Sequence, residues 1–330
     1  MSRIHDALKR AEQERAASMG THVEASLEPL EPSQVEMPNL QGAAAPAMPT
    51  ASGLSYEALL ARCPQAEWKP DRTHMLFFKD DESRVGTEES RTGTNGNHVP
   101  SRYYDDETRV GTEEFRTLRS RLYQIREKMP LKRLLVTSAM PREGKSFVAS
   151  NLAQVLVRQH GRRALLIDGD LRNPGLHKNL GAQLNPGLSD YLGGECDEFA
   201  IMQRGPMESL FFVSAGRVVP SAPELLANGR FKLLLQRVEP LFDWVIIDSS
   251  PVIPVSDPTL VAGFCDGVLM VVRSEITSSE LAKRARGEFP DKLLVGVVLN
   301  GTIGRHAQAR YYYGESMSPY VSQYLRPYRK

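Results

Sequence analysis

An apolar run that stops at a glycine-lysine-serine turn and restarts as a helix pattern constrains this chain more than any other feature. Residues 131–139, LKRLLVTSA, read as a strand buried on both faces. Residues 146–161, SFVASNLAQVLVRQHG, read as a helix closed by Gly161. Five more strand-length apolar runs follow: RRALLIDGD at 162–170, ESLFFVSAG at 208–216, the run over 243–251 that opens DWVIID, DGVLMVVRSE at 266–275 and KLLVGVVLNG at 292–301. Between them PELLANGRFKLLLQRVEPLF, 223–242, reads as helix. Near-continuous apolar strands separated by helices predict an α/β fold, a doubly wound, mostly parallel sheet with helices on both faces. Ligands of such sheets sit at the carboxyl ends of the strands.

Those ends carry the chemistry. The first strand runs into Ser138-Ala139-Met140-Pro141-Arg142-Glu143-Gly144-Lys145-Ser146. A lysine at a helix N-terminus, with backbone N–H groups turned inward, is suited to phosphate. This predicts a P-loop NTPase in which Ala139, Pro141, Arg142, Glu143, Gly144, Lys145, Ser146 and Phe147 line the nucleotide, although Ala139 replaces the usual first glycine. Asp168 and Asp170 end one later strand and Asp248 ends another. A strand-end carboxylate in an apolar setting is costly unless it has a partner. Ser146, Asp248 and Asp168 are therefore the expected Mg²⁺ site, with ATP as the nucleotide.

These motifs resemble the bacterial tyrosine kinases (BY-kinases) of capsular and exopolysaccharide systems. IDGDLRNP is similar to their second, A-prime Walker motif. The stretch from Asp248 through Ser249, Ser250 and Pro251 to VIPVSDP is similar to their Walker B region, with Asp257 at the trailing acidic position. SAPELLANGRF is similar to the family's stretch before it. Glu113, Arg116 and Arg119 match the family's ExxRxxR motif, which implies assembly into a ring. The resemblance covers about residues 105–330. Arg142 stands where glycine is common, and Phe147 where threonine is common. The opening MSRIHDALKRAEQER looks like the start of family members encoded without a fused membrane domain.

The resemblance implies an ATP-dependent protein-tyrosine autokinase regulating polysaccharide synthesis and export. Lys145 would hold the β and γ phosphates, and Asp168 or Asp170 would take or orient the tyrosine proton. Asn300, ending the last strand, resembles the adenine-reading position of related P-loop ATPases. The implied partners are other copies of the chain, a separate membrane-anchored polysaccharide chain-length or export protein, and a tyrosine phosphatase. The implied location is cytoplasmic, at the inner face of the membrane through that partner. The alternative is a P-loop ATPase switch or assembly adaptor of the septum-placement and partition type. Such switches carry a signature lysine early in the loop, where this chain has Met140.

The tail speaks for the kinase. Six of eleven tyrosines lie in residues 311–330: Tyr311, Tyr312, Tyr313, Tyr320, Tyr324 and Tyr328. They match the family's phosphoacceptor cluster. Tyrosines among arginines can also stack on single-stranded nucleic acid. A net charge of +1 over 330 residues marks no polycation, and nucleic acid is not expected as a partner. Residues 302–330 carry Arg305, Arg310, Arg326, Arg329 and Lys330 against Glu315, a formal +4.

The first hundred residues read differently. A narrow stripe of Ile4, Ala7, Leu8 and Ala11 predicts a short helix over 1–18. Residues 19–104 read as a low-complexity linker, with a transient helix over SYEALLARC at 55–63. Within it ESRVGTEESRT, 82–92, nearly repeats ETRVGTEEFRT, 107–117. Only the second copy runs on into a helix pattern, for which Thr112 is the expected start. This places a kinase domain over 105–301 and the tyrosine tail over 302–330. Neither a membrane-spanning run of about 18 apolar residues nor an apolar signal segment is found. Cys63, Cys196 and Cys265 are too scattered for a metal site and read as reduced thiols.

Overall fold

Among the described residues seven strands form one sheet: β1 (Arg133–Ser138), β2 (Ala164–Asp168), β3 (Met202–Arg204), β4 (Leu210–Val213), β5 (Trp244–Asp248), β6 (Gly267–Arg273) and β7 (Leu294–Asn300). They lie in the order β3-β4-β2-β5-β1-β6-β7. Every neighbouring pair is parallel except β3 and β4. This computed structural model describes residues 54–71, 74–79 and 102–302. The 1–18 helix, the 82–92 repeat and the six tail tyrosines lie outside the described residues.

Alternate residues of the central strands pack on opposite faces. Leu135, Leu165, Ile167, Val245 and Ile247 join the core on one side. Leu134, Val136, Leu166, Trp244 and Ile246 join it on the other. Because both faces are covered, these strands read as unbroken apolar runs rather than alternating ones. Six of the seven strands are those expected. The seventh, β3, is only three residues long and pairs antiparallel at the edge, too short to leave a period in the sequence. The helical run at 223–242 breaks at Gly229, whose φ is +83°, into Ala222–Ala227 and Arg230–Val238.

Two expectations are corrected. The first is the start of the long helix. Helix α2 (Arg102–Arg126) begins ten residues before Thr112, which is buried in its interior. Gly111 is tolerated there because the side chain of Leu76 occupies the space: an added Cβ would lie 2.9 Å from Leu76 Cδ1.

The second is the linker, since the fold begins near residue 54 rather than 105. Helix α1 (Tyr56–Arg62) is capped by Ser55, whose hydroxyl accepts from the Ala58 N–H at 3.1 Å. From it the chain wraps around the sheet edge as a strap. Leu59 and Cys63 are buried on one face, and Trp68, Met75 and Phe77 on the other. At the edge Ala66 N–H donates to Arg204 O and Arg204 N–H donates to Pro64 O, which covers the exposed side of β3. A few large apolar residues suffice to dock the strap, and the polar composition of 19–104 as a whole conceals them.

The strap is fastened to helix α3 (Lys145–Val157), the helix that the phosphate-loop lysine opens. Fully buried Asn151 donates to His74 O at 2.7 Å and accepts from Leu76 N–H at 2.9 Å. Further along the same helix direction come two more ties: Gln154 Nε2 donates to Met75 Sδ, and Arg158 donates to Phe77 O.

Candidate active site

Gly144 forms the N-cap of α3 with φ +96°, and Arg142 also sits in the left-handed region at φ +66°. The first α3 amides have no acceptors in their own helix and so are available to an anion. An added Cβ on Gly144 would come within 2.0 Å of Asn300 Nδ2, so only glycine fits here. Asn300 ends β7 and donates Nδ2 to Glu143 O at 2.9 Å. The residue expected to read a base thus fastens the phosphate loop with its N–H₂ group.

Three carboxylates meet the loop. Asp168 and Asp248 are register partners on neighbouring strands β2 and β5. Gly169 approaches β5 closely: its N–H donates to Asp248 O at 2.8 Å, and an added Cβ would lie 2.7 Å from that oxygen. Lys145 Nζ donates to Asp170 Oδ2 at 2.9 Å, and Ser146 Oγ donates to Asp248 Oδ2 at 2.5 Å. Asp170 Oδ1 accepts from Ser250 Oγ at 2.8 Å and from Asn173 N–H at 3.1 Å. Asp168 is oriented otherwise: its oxygens accept from the N–H groups of Asp170, Gly175 and Leu176. It shapes the loop after β2.

The charges follow from this crowding. Burial pushes the Asp168 carboxyl well above the ordinary carboxylate range, and the charge of Asp248 adds to the rise. Burial raises Asp248 too, opposed by Lys145 and the Ser146 hydroxyl. Burial would lower the Lys145 ammonium, but Asp248, Asp170 and Asp168 outweigh it and hold its pKa at about 12. One cation therefore stands among three buried acids.

The residues present fit a hydrated divalent cation. Asp248 Oδ1 is buried and, among the described residues, has no hydrogen-bond partner, beside the Ser146 hydroxyl. Among the described residues no group of three or more His, Cys, Asp or Glu is spaced to cage a metal. The Asp248 and Ser146 oxygens suit Mg²⁺, which takes one or two protein ligands and fills its shell with water and phosphate oxygens.

Other expected residues are placed as follows. Ala139 is buried at the loop's start, and Pro141 and Arg142 are exposed on its rim. The Phe147 ring packs against Phe115 of α2, centroids 5.8 Å apart. Glu113 and Arg116 form an exposed ion pair on α2. Arg119 turns inward instead and donates to Val155 O at 3.0 Å, one of the last carbonyls of α3 that lack an intrahelical partner. Sequence reasoning missed Ser250 as the partner of Asp170, although it lies in the Walker B-like stretch. It also missed the bidentate pairing of Arg172 with buried Asp257 at 2.6 and 3.2 Å, and the contact of Thr277 with Glu143.

Comparison with known proteins gives the family. The tyrosine-protein kinase YwqD of Bacillus subtilis is 31% identical over 199 residues, which cover 59% of this chain and 84% of the relative. The chain belongs to the bacterial tyrosine kinases. Among solved structures, the kinase domain of the Escherichia coli tyrosine kinase ETK superposes with a TM-score of 0.57 at 28% identity, covering 65% of this chain and 84% of that one. The chimerical protein CapA2B2 gives 0.54 at 31% identity, covering 57% and 83%. The putative tyrosine-protein kinase AmsA of Erwinia amylovora is 34% identical over 177 residues, and the chain spans only about a quarter (24%) of that relative's length. No family model matches the chain. Among the described residues, no helix is long and apolar enough to cross a membrane.

Proposed function

We propose that this bacterial tyrosine kinase is an ATP-dependent autokinase that phosphorylates the C-terminal tyrosines of neighbouring subunits and so regulates capsule or exopolysaccharide synthesis and export. The observation that supports it most is the grouping of Lys145, Asp170, Ser146 and Asp248 at adjacent strand ends under a phosphate loop. Lys145 exchanges Asp170 for the β and γ phosphates of ATP. Ser146 and Asp248 would hold Mg²⁺, which would supply charge neutralisation for the transferred group. Released from Lys145, Asp170 stays oriented by Ser250 and Asn173 N–H and accepts or orients the acceptor tyrosine's proton. Asp168, holding three backbone amides, supports that role by fixing the loop. Such transfer is mostly positioning and charge neutralisation.

Tyr311, Tyr312, Tyr313, Tyr320, Tyr324 and Tyr328 are the proposed acceptors, with Glu113, Arg116 and Arg119 at the subunit contact of a ring. Each phosphate adds roughly −1.5 to −2 to a tail of formal +4, so three bring it to about neutral or below. The modified tail is then repelled by the carboxylate cluster, and the oligomer loosens. A tyrosine phosphatase and a separate membrane-anchored export protein complete the cycle, placing the kinase at the cytoplasmic face of the membrane. Incubating purified protein with γ-labelled ATP and Mg²⁺ tests the reading. Label on tyrosine of the protein supports it. Free phosphate without labelled protein would mean an ATPase switch instead.

A further inference from the structure

The phosphate loop carries a buried carboxylate that no part of the proposed reaction uses. Glu143 lies between the two left-handed residues Arg142 and Gly144, and this backbone path turns its side chain inward until only 2% is exposed. A negative charge buried behind an anion-binding loop opposes the loop's ligand, so its position requires a compensating role. Its two oxygens have separate partners. Oε2 accepts from Met140 N–H at 2.8 Å, which closes the loop on itself. Oε1 accepts from the hydroxyl of Thr277, in the loop that follows β6.

Thr277 is itself fixed. Its N–H donates to Arg273 O at 3.0 Å, and its Oγ1 accepts from Arg273 N–H at 3.3 Å. The hydroxyl therefore donates to Glu143 while it accepts from the end of β6, which among short side chains only serine or threonine can do. Asn300 adds a second tie, from the end of β7 to Glu143 O. The neighbouring strand ends are joined in turn, because Ser274 N–H donates to Asn300 O at 2.8 Å. The loop is thus held by its own glutamate to a pair of strand ends that carry none of the acidic cluster.

We infer that Thr277 is a positioning residue for nucleotide binding, acting through Glu143 to hold the phosphate loop in its anion-binding shape before ATP arrives. This rests on the nucleotide reading of the site. Without the hydroxyl, Glu143 keeps one donor and loses the other, and a buried, half-satisfied carboxylate moves toward water. Met140 N–H then loses its acceptor and the loop must be reordered by each incoming nucleotide. The consequence falls on affinity, because the preorganised shape no longer precedes binding. Turnover at saturating ATP changes little, since Lys145, Ser146, Asp170 and Asp248 do not touch Thr277.

The test is a direct ATP–Mg²⁺ titration of the full-length protein, with autophosphorylation rates measured against ATP concentration. Thr277→Val is expected to weaken ATP binding about tenfold and raise KM in step, with kcat within about twofold of wild type. Thr277→Ser, which keeps the hydroxyl, should restore both. Glu143→Ala should weaken binding similarly, and the double variant Glu143→Ala with Thr277→Val should be no weaker than Glu143→Ala alone, because both changes cut one connection. Additive losses, or a Thr277→Val protein that binds ATP like wild type, would overturn the inference. If Thr277→Val folds poorly, the serine variant and the Glu143→Ala pair decide the matter. Failure of the wild-type protein itself to bind ATP would reject the nucleotide reading rather than the role of Thr277.

Discussion

Replacing Asn151 with alanine cuts two of the hydrogen bonds by which α3 holds the strap. Asn151 is fully buried, donates to His74 O at 2.7 Å and accepts from Leu76 N–H at 2.9 Å. Deleting one partner of a buried hydrogen bond costs about 1–3 kcal/mol. Two bonds to the strap give about 2–6 kcal/mol, and we expect about 3 kcal/mol because the strap can shift toward water. With a urea m-value of about 2–3 kcal/mol/M, the unfolding midpoint should fall by about 1 M. Proteolysis within 54–79 should accelerate in the same variant under native conditions. The assay is urea unfolding followed by tryptophan fluorescence, since Trp68 lies in the strap against Phe212, centroids 6.1 Å apart. A midpoint shift below about 0.2 M, with unchanged proteolysis, would show that the strap is not held by α3.

Lys145→Met should abolish ATP-dependent self-labelling while keeping the fold: losing a unit charge about 4 Å from phosphate at an effective dielectric of about 20 removes about 4 kcal/mol, roughly three powers of ten in rate. Asp248→Asn should cut the labelling rate at least about tenfold, and the same loss should appear in the Mg²⁺ dependence. Replacing Arg116 and Arg119 with alanine should give monomers by light scattering, and Arg119→Ala alone should also lower the melting temperature, since Arg119 caps Val155 O. Asp266 supplies a pH test. Burial would raise its carboxyl, but the Arg133 guanidinium and the N–H groups of Arg133 and Lys132 hold it below the usual carboxylate range. A depressed pKa contributes stability above the unfolded value of about 3.9, lost as pH falls through the folded one. Asp266→Asn should therefore cost about 1.5–3 kcal/mol near neutrality and progressively less below about pH 4 in urea unfolding.

The sheet and the site were legible in the sequence for one physical reason. Strands buried on both faces write long apolar runs, and the residues at their ends stand out against them. Asp168, Asp248, Lys145 and Ser146 could be placed together because the carboxyl ends of parallel strands share one edge. What stayed hidden depends on tertiary contacts between distant segments. Nothing local marks Thr277 as the partner of Glu143, 134 residues earlier. The strap was masked by averaging, because Leu59, Trp68, Met75 and Phe77 are spread over a polar stretch without a period. The start of α2 was misread because Thr112 offers a local N-terminal signal, whereas Gly111 before it is accommodated inside the helix, where its missing side chain makes room for Leu76. β3 was too short to show alternation.

The central claim, that one subunit phosphorylates the tail of another, is tested most directly by mixing two complementary variants. One variant carries Lys145→Met and keeps all six tail tyrosines. The other keeps Lys145 but has Tyr311, Tyr312, Tyr313, Tyr320, Tyr324 and Tyr328 replaced by phenylalanine. Each alone should take up little label from γ-labelled ATP. Mixed, the two should give strong phosphotyrosine on the Lys145→Met chain, distinguished by a size tag. A mixture that stays unlabelled while the wild type labels would contradict transfer between subunits, and free phosphate alone from the wild type would contradict the kinase.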